Sequence, residues 1–209
     1  MNVQFSDREL RDLAIAWLAL GFAFAVFIDR SLVRALSGAP GALDLAGIGE
    51  TFLLSLLTAG VGFLLHELAH KVVAIRFGQV AEFRADYNML FLAVVGGLAG
   101  FLFAAPGAVY HRGRITAREN GLISVAGPVT NLALAAVFFG VLLAGAASDA
   151  DLLGRVGNLG LWLNLLLAGF NMIPFGPLDG RKVLAWSKVV YAAVAIPSIG
   201  LALLVIFGL

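Results

Sequence analysis

The chain has no cysteine. That excludes disulfides and thiolate metal ligands together, so any metal must be held by histidine or carboxylate. Charge is scarce too. Asp, Glu, Lys and Arg make up 13% of the 209 residues and hydrophobic types 61%, against roughly 25% and 45–50% in soluble domains. This is the composition of an integral membrane protein. Neither sign of charge is in excess, with a formal net charge of +1, and no run of like charges forms a tail. Nucleic acid is therefore not an expected partner, whereas the lipid bilayer is. The N-terminal MNVQFSDRELRD is mixed in charge and leads into an apolar run without an evident cleavage site. The first hydrophobic stretch is expected to be a retained span and not a signal peptide.

Histidine is rare as well, and two of the three fall within GVGFLLHELAHKVVAIRFG, residues 60–78. On a helix, His66 and His70 lie on one face a turn apart, the spacing at which two imidazoles can hold one zinc ion. Glu67 stands beside them, where a carboxylate can take a proton from a water whose pKa the metal has lowered. From Thr51, where the apolar run begins, His66 is about 22 Å along the helix, inside a hydrocarbon core of about 30 Å. Ionisable side chains at that depth cost several kcal/mol and mark functional sites.

In chain order, residues 13–28 form a first apolar segment, and a connector rich in Gly and Pro follows to residue 49. The motif-bearing span runs from about Glu50 to Phe77. Val80, Phe83 and Tyr87 give a weak strand signal in QVAEFRADYN. Residues 89–109 have the length of a span but carry Gly96, Gly97, Gly100, Pro106 and Gly107. Further spans are expected over 121–146 and 159–175, with a last apolar stretch to Leu209 kinked at Pro197. If residues 89–109 dip in and return, eleven Lys and Arg lie on the side of the N-terminus, and the other side has only Arg30, Arg34 and Arg155. The positive-inside rule prefers that layout. The expected fold is an all-α polytopic membrane protein of five to six transmembrane helices. A small strand-like or re-entrant segment separates the HExxH helix from the next span, and residues 1–209 form a single domain with its core at 50–185.

Two histidines and a water leave a tetrahedral zinc needing one more protein ligand. Asp179 is the strongest candidate, because Pro174 and Pro177 should unwind the chain before it. Gly180 permits the close backbone turn that would aim it. Asp86, in the loop after the motif helix, competes for the same role. Asn158, Asn164 and His111 are expected to be structural or interfacial, Asn131 can serve as an interhelical hydrogen bond, and Gly140 and Ala144 suggest helix packing.

HELAH at 66–70, AGPVTN at 126–131 and FNMIPFGPLDG at 170–180 resemble, in order and in setting, the motifs of the site-2 proteases, zinc metalloproteases that cut within membranes. The resemblance spans residues 50–185. It implies one zinc per active site held by His66, His70 and Asp179, with Glu67 as catalytic base. Asn171 would contact the substrate backbone or help stabilise the oxyanion, and Gly127, Pro128 and Asn131 would pack on the metal helix. It further implies hydrolysis of peptide bonds in membrane-spanning protein substrates, in the cell membrane of a prokaryote with N-terminus and active-site side cytoplasmic. The Gly-rich insert at 89–109 departs from the family pattern. Two other functions fit the residues less fully: a zinc membrane hydrolase acting on a non-protein substrate, and a transporter or channel, suggested by the broken helix and buried carboxylate.

Overall fold

A computed structural model describes residues 3–101 and 106–207. Its elements in order are α1 (Asp7–Ile28), α2 (Ser31–Leu36), a 3-10 turn (Pro40–Ala42), α3 (Leu45–Ser55), a π-helical segment (Leu56–Gly60) and α4 (Val61–Arg76). There follow β1 (Val80–Ala85), α5 (Tyr87–Ala99), β2 (Gly107–Arg112), α6 (Ala117–Ala147), α7 (Asp151–Asn171), α8 (Asp179–Trp186) and α9 (Lys188–Phe207). Among the described residues, five helical stretches are long and apolar enough to cross a bilayer: Asp7–Ile28, Leu45–Arg76, Ala117–Ala147, Asp151–Asn171 and Lys188–Phe207. β1 and β2 pair as a small antiparallel sheet. The all-α polytopic reading holds for this membrane protein, including the strand-like element after the motif helix.

Local chemistry explains the boundaries. Ser6 caps α1 by accepting from the Glu9 amide, and Asp44 caps α3 by accepting from Gly47. That second cap starts the motif-bearing span at Leu45, some five residues before Glu50. Thr116 and Glu119 form a capping box that starts α6 inside the polar connector. α7 ends at Asn171, ahead of Pro174 and Pro177, and helix resumes at Asp179. The expected unwinding is there, and the polar GRK that follows belongs to the short helix α8, not to a loop.

The described residues divide into two compact units. One comprises residues 5–61 and 83–101 with 106–108. Here α5 lies along α1, and a Cβ on Gly97 would come within 2.5 Å of the Ala23 carbonyl oxygen, so glycine is what permits the approach. At the start of α5, the Tyr87 hydroxyl donates to Asp12 Oδ1 at 2.7 Å. At its end, Arg30 donates to the carbonyls of Gly97 and Leu98 at 2.7 and 3.0 Å. Gly100, at φ 91°, closes the helix with a left-handed cap. Thirteen residues reach about 20 Å, short of a 30 Å core, and the chain is back beside its start where the Asp86 amide donates to Pro106. The described part of this stretch is thus a short helix lying along α1; Leu102 to Ala105 lie outside the described residues. Buried Glu9 and Asp12 accept from the amides of Phe83 and Ala85, taking up donors of β1 that the sheet does not use.

In the same unit the π segment widens the motif-bearing helix, and the Trp17 indole donates to the Leu56 carbonyl at 3.0 Å. Trp17→Phe keeps the packing and removes that hydrogen bond, leaving the Leu56 carbonyl with the Val61 amide alone. The variant is expected to lose about 1 kcal/mol of stability, read as a lower thermal midpoint in detergent.

The other unit comprises residues 3–4, 62–82 and 109–207. α6 and α7 form an antiparallel pair joined through Asp149, at φ 50°. Gly157 meets the Leu142 backbone and Gly145 meets Gly154. Gly140 has nothing near it and Ala144 is exposed, so the close-packed face of α6 is not the one expected from the sequence. The difference follows from α6 turning a different side to α7. Ala74, Ala81 and Ile123 tie α4, β1 and α6 together, while Met172, Val183 and Ala195 join the end of α7 to α8 and α9. Lys71 is buried, its ammonium donating to the Gln4 carbonyl at 2.7 Å.

Candidate metal centre

One turn of α4 presents His66 and His70 to a point that Asp179 reaches from the first residue of α8. All three are at least 92% buried, with 4%, 8% and 7% exposure. Asp179 Oδ2 is 3.3 Å from His66 Nε2 and 3.1 Å from His70 Nε2. Gly180 makes this reach possible, because a Cβ there would sit 2.9 Å from Met172 Cα and closer still to its carbonyl group. The close turn expected of Gly180 is an approach between backbones; the left-handed residue of the break is Gly176, at φ 58°.

Both rings are oriented from behind. His66 Nδ1 lies 2.6 Å from Asn131 Oδ1, and His70 Nδ1 lies 2.7 Å from the Ile123 carbonyl. Ile123 lies on α6, five residues before Pro128. With Nδ1 donating on each ring, a neutral imidazole presents a lone pair at Nε2. Two such nitrogens and a carboxylate oxygen then converge with no hydrogen between them, an arrangement that calls for a cation. A tetrahedral zinc with bonds of 2.0–2.1 Å spaces its ligand atoms by about 3.3 Å, the separation found here. The residues fit a zinc ion.

Glu67 is 8% exposed, and its Oε2 is buried with no hydrogen-bond partner among the described residues. Ligand atoms of His66, Glu67 and His70 all lie within 4.8 Å of one another. An unpaired buried carboxylate oxygen costs free energy unless a mobile group, such as a reacting water, completes it. Asp179 is buried between the two rings it faces. Lys182 approaches its other oxygen at 3.7 Å.

Gly127 explains itself only in this setting. A Cβ there would stand 2.6 Å from His66 Cδ2 and closer to Nε2, in the space that atom needs. Of the other residues singled out from the sequence, Asn171 donates its Nδ2 to the Leu167 carbonyl of its own helix at 2.9 Å. Asp86 is the exposed N-cap of α5, its Oδ1 accepting from the amides of Asn88 and Met89. His111, half-buried on β2, is held below the ordinary histidine range by burial and by the positive charge of Lys182. Asn164 was expected to be structural or interfacial, and its link to the site through Asn131 is what sequence reasoning missed. It is fully buried and hydrogen-bonded to Asn131 at 2.9 Å. A polar side chain in the middle of an apolar span was the available signal.

The chain is 42% identical over 206 residues to "Putative zinc metalloprotease MJ0611" of Methanocaldococcus jannaschii, an alignment covering 98% of this chain and 97% of that protein. The chain belongs to the zinc metalloproteases. Zinc is the cofactor of this metalloprotease, and the His66, Glu67 and His70 cluster is close enough to bind it. "Putative zinc metalloprotease YwhC" of Bacillus subtilis is 35% identical over 144 residues, 61% of this metalloprotease and 66% of that protein. "Putative zinc metalloprotease Rip3" of Mycobacterium tuberculosis is 35% identical over 125 residues, 57% of this metalloprotease and 27% of that chain. No family model and no solved structure matches the sequence.

Proposed function

We propose that this metalloprotease is of the site-2 type and hydrolyses peptide bonds within or near the transmembrane segments of membrane proteins. The observation that carries the proposal is the convergence of His66 Nε2, His70 Nε2 and Asp179 Oδ2 beside Glu67, whose buried Oε2 has no hydrogen-bond partner among the described residues, with five membrane-length helices among those residues. In this reading His66, His70 and Asp179 hold the metal. Zinc, when bound, supplies a Lewis acid that polarises the scissile carbonyl and lowers the pKa of the attacking water. Glu67 takes the proton of that water and delivers it to the leaving amine. Asn171 stands at the break between α7 and α8, where it would engage the substrate backbone or the oxyanion. A substrate helix must open locally to expose its carbonyl, so weak helix formers near the cut favour cleavage.

The distribution of Lys and Arg supports a site facing the cytoplasm of a prokaryotic cell, eleven on the side of the N-terminus against three opposite. The test is incubation of the purified protein in detergent with single-span protein substrates. Cleavage is expected to stop on chelation and return with zinc, and Asp179→Ala is expected to purify with little zinc. Zinc-loaded protein that cuts none of a range of such substrates would point to a non-protein substrate. Cleavage indifferent to chelation would overturn the metal mechanism.

A further inference from the structure

The two histidines are oriented by different kinds of acceptor. His70 is backed by a main-chain carbonyl, which can only accept and cannot turn round. His66 is backed by the side-chain amide of Asn131, which can. A flipped amide would aim its NH2 at Nδ1, favour hydrogen on Nε2 and so spoil the atom that faces Asp179 and, on the reading above, the metal. Something must fix the amide. Asn131 Nδ2 donates to two acceptors, the Gly62 carbonyl at 3.1 Å and Asn164 Oδ1 at 2.9 Å. Asn164 is fixed in turn, because its Nδ2 donates to the Gly160 carbonyl at 2.9 Å. Gly62 leaves room for this: a Cβ there would be 2.5 Å from Asn164 Oδ1. Asn131 and Asn164 are both fully buried, so no water can substitute for either partner.

We propose that Asn164 is a positioning residue for the metal centre, acting through Asn131 to set the tautomer of His66. The direction of donation runs one way along α7, α6 and α4: Asn164 to Gly160 O, Asn131 to Asn164, His66 to Asn131. Each step follows from a group that can act in only one sense. The proposal rests on His66 being a zinc ligand, and the experiment separates the two.

Zinc retention is measured on purified wild type, Asn164→Leu, Asn164→Asp and His66→Ala against graded chelator, with the absorption spectrum of the cobalt-substituted proteins as a second readout. Leucine keeps the volume but removes the acceptor, and is expected to lower zinc affinity ten- to a hundredfold and perturb the cobalt bands. A neutral aspartic acid donates its O–H to Gly160 O and accepts from Asn131, so Asn164→Asp is expected to stay near wild type. Packing alone predicts the opposite order, aspartate being the worse fit in an apolar span. Leucine at wild-type affinity, or aspartate losing zinc as readily as leucine, would overturn the relay. Should Asn164→Leu fail to fold, 15N-histidine NMR of zinc-free wild type decides: hydrogen on Nδ1 of His66 is expected, and hydrogen on Nε2 sinks the proposal. Full zinc retention by His66→Ala would instead sink the ligand assignment beneath it.

Discussion

Glu67→Gln is expected to lower the cleavage rate by 10²–10⁴ while zinc content stays at the wild-type level, because on the proposed mechanism the general base is lost and the metal ligands are not. In barrier terms that is about 3–5 kcal/mol. Glutamine keeps the size and the capacity to hydrogen-bond a water, but it cannot accept the water's proton. Glu67 Oε2 is buried with no hydrogen-bond partner among the described residues, so the change breaks no hydrogen bond at that oxygen. The measurement is single-turnover cleavage of a single-span substrate alongside metal analysis of the same preparations. A variant that cuts at the wild-type rate would remove Glu67 from the chemistry, and one that loses its zinc would make it a ligand.

Gly127→Ala is the second large effect, and it strikes the same site from α6. The added methyl would stand 2.6 Å from His66 Cδ2, and neither party can yield easily. The ring is held from behind by Asn131, and the helix backbone is fixed by its packing on α7. His66 must rotate away from Asp179, which removes one of three donors. The variant is expected to purify largely without zinc and with cleavage near background, while its far-UV spectrum is unchanged. Gly140→Ala, on the same helix but with open space around it, is the control and should behave as wild type. Equal zinc content in the two variants would show that His66 is not confined as described.

What the sequence made legible was whatever is local. His66, Glu67 and His70 lie within one helical turn and a half, so their shared direction follows from helix geometry alone. Asp179 was legible because Pro174 and Pro177 force a break, and a carboxylate beyond a break is free to turn inward. Glycine content and the distribution of positive charge argued against a plain spanning helix over residues 89–109, but the short helix α5 could not be seen. Gly97 is there for close approach to Ala23 and Gly100 for a left-handed cap, and both purposes appear only once α1 lies alongside. The π segment leaves no compositional mark, since Leu, Thr, Ala and Gly suit an ordinary helix equally well. Asn131 was recognised by its motif and Asn164 was set aside, because the meaning of a buried amide lies in which groups face each of its two ends. That is a property of three helices together and of none separately.

The break before Asp179 also bears on how the protein is made. His66 and His70 emerge from the ribosome on one helix, but the carboxylate that faces them is translated more than a hundred residues later. Until Asp179 is translated, the chain would hold two imidazoles and a neighbouring carboxylate with no third anchor for the ion. On the proposed mechanism, proteolytic competence would then wait for the segment beyond the proline break to be made and inserted.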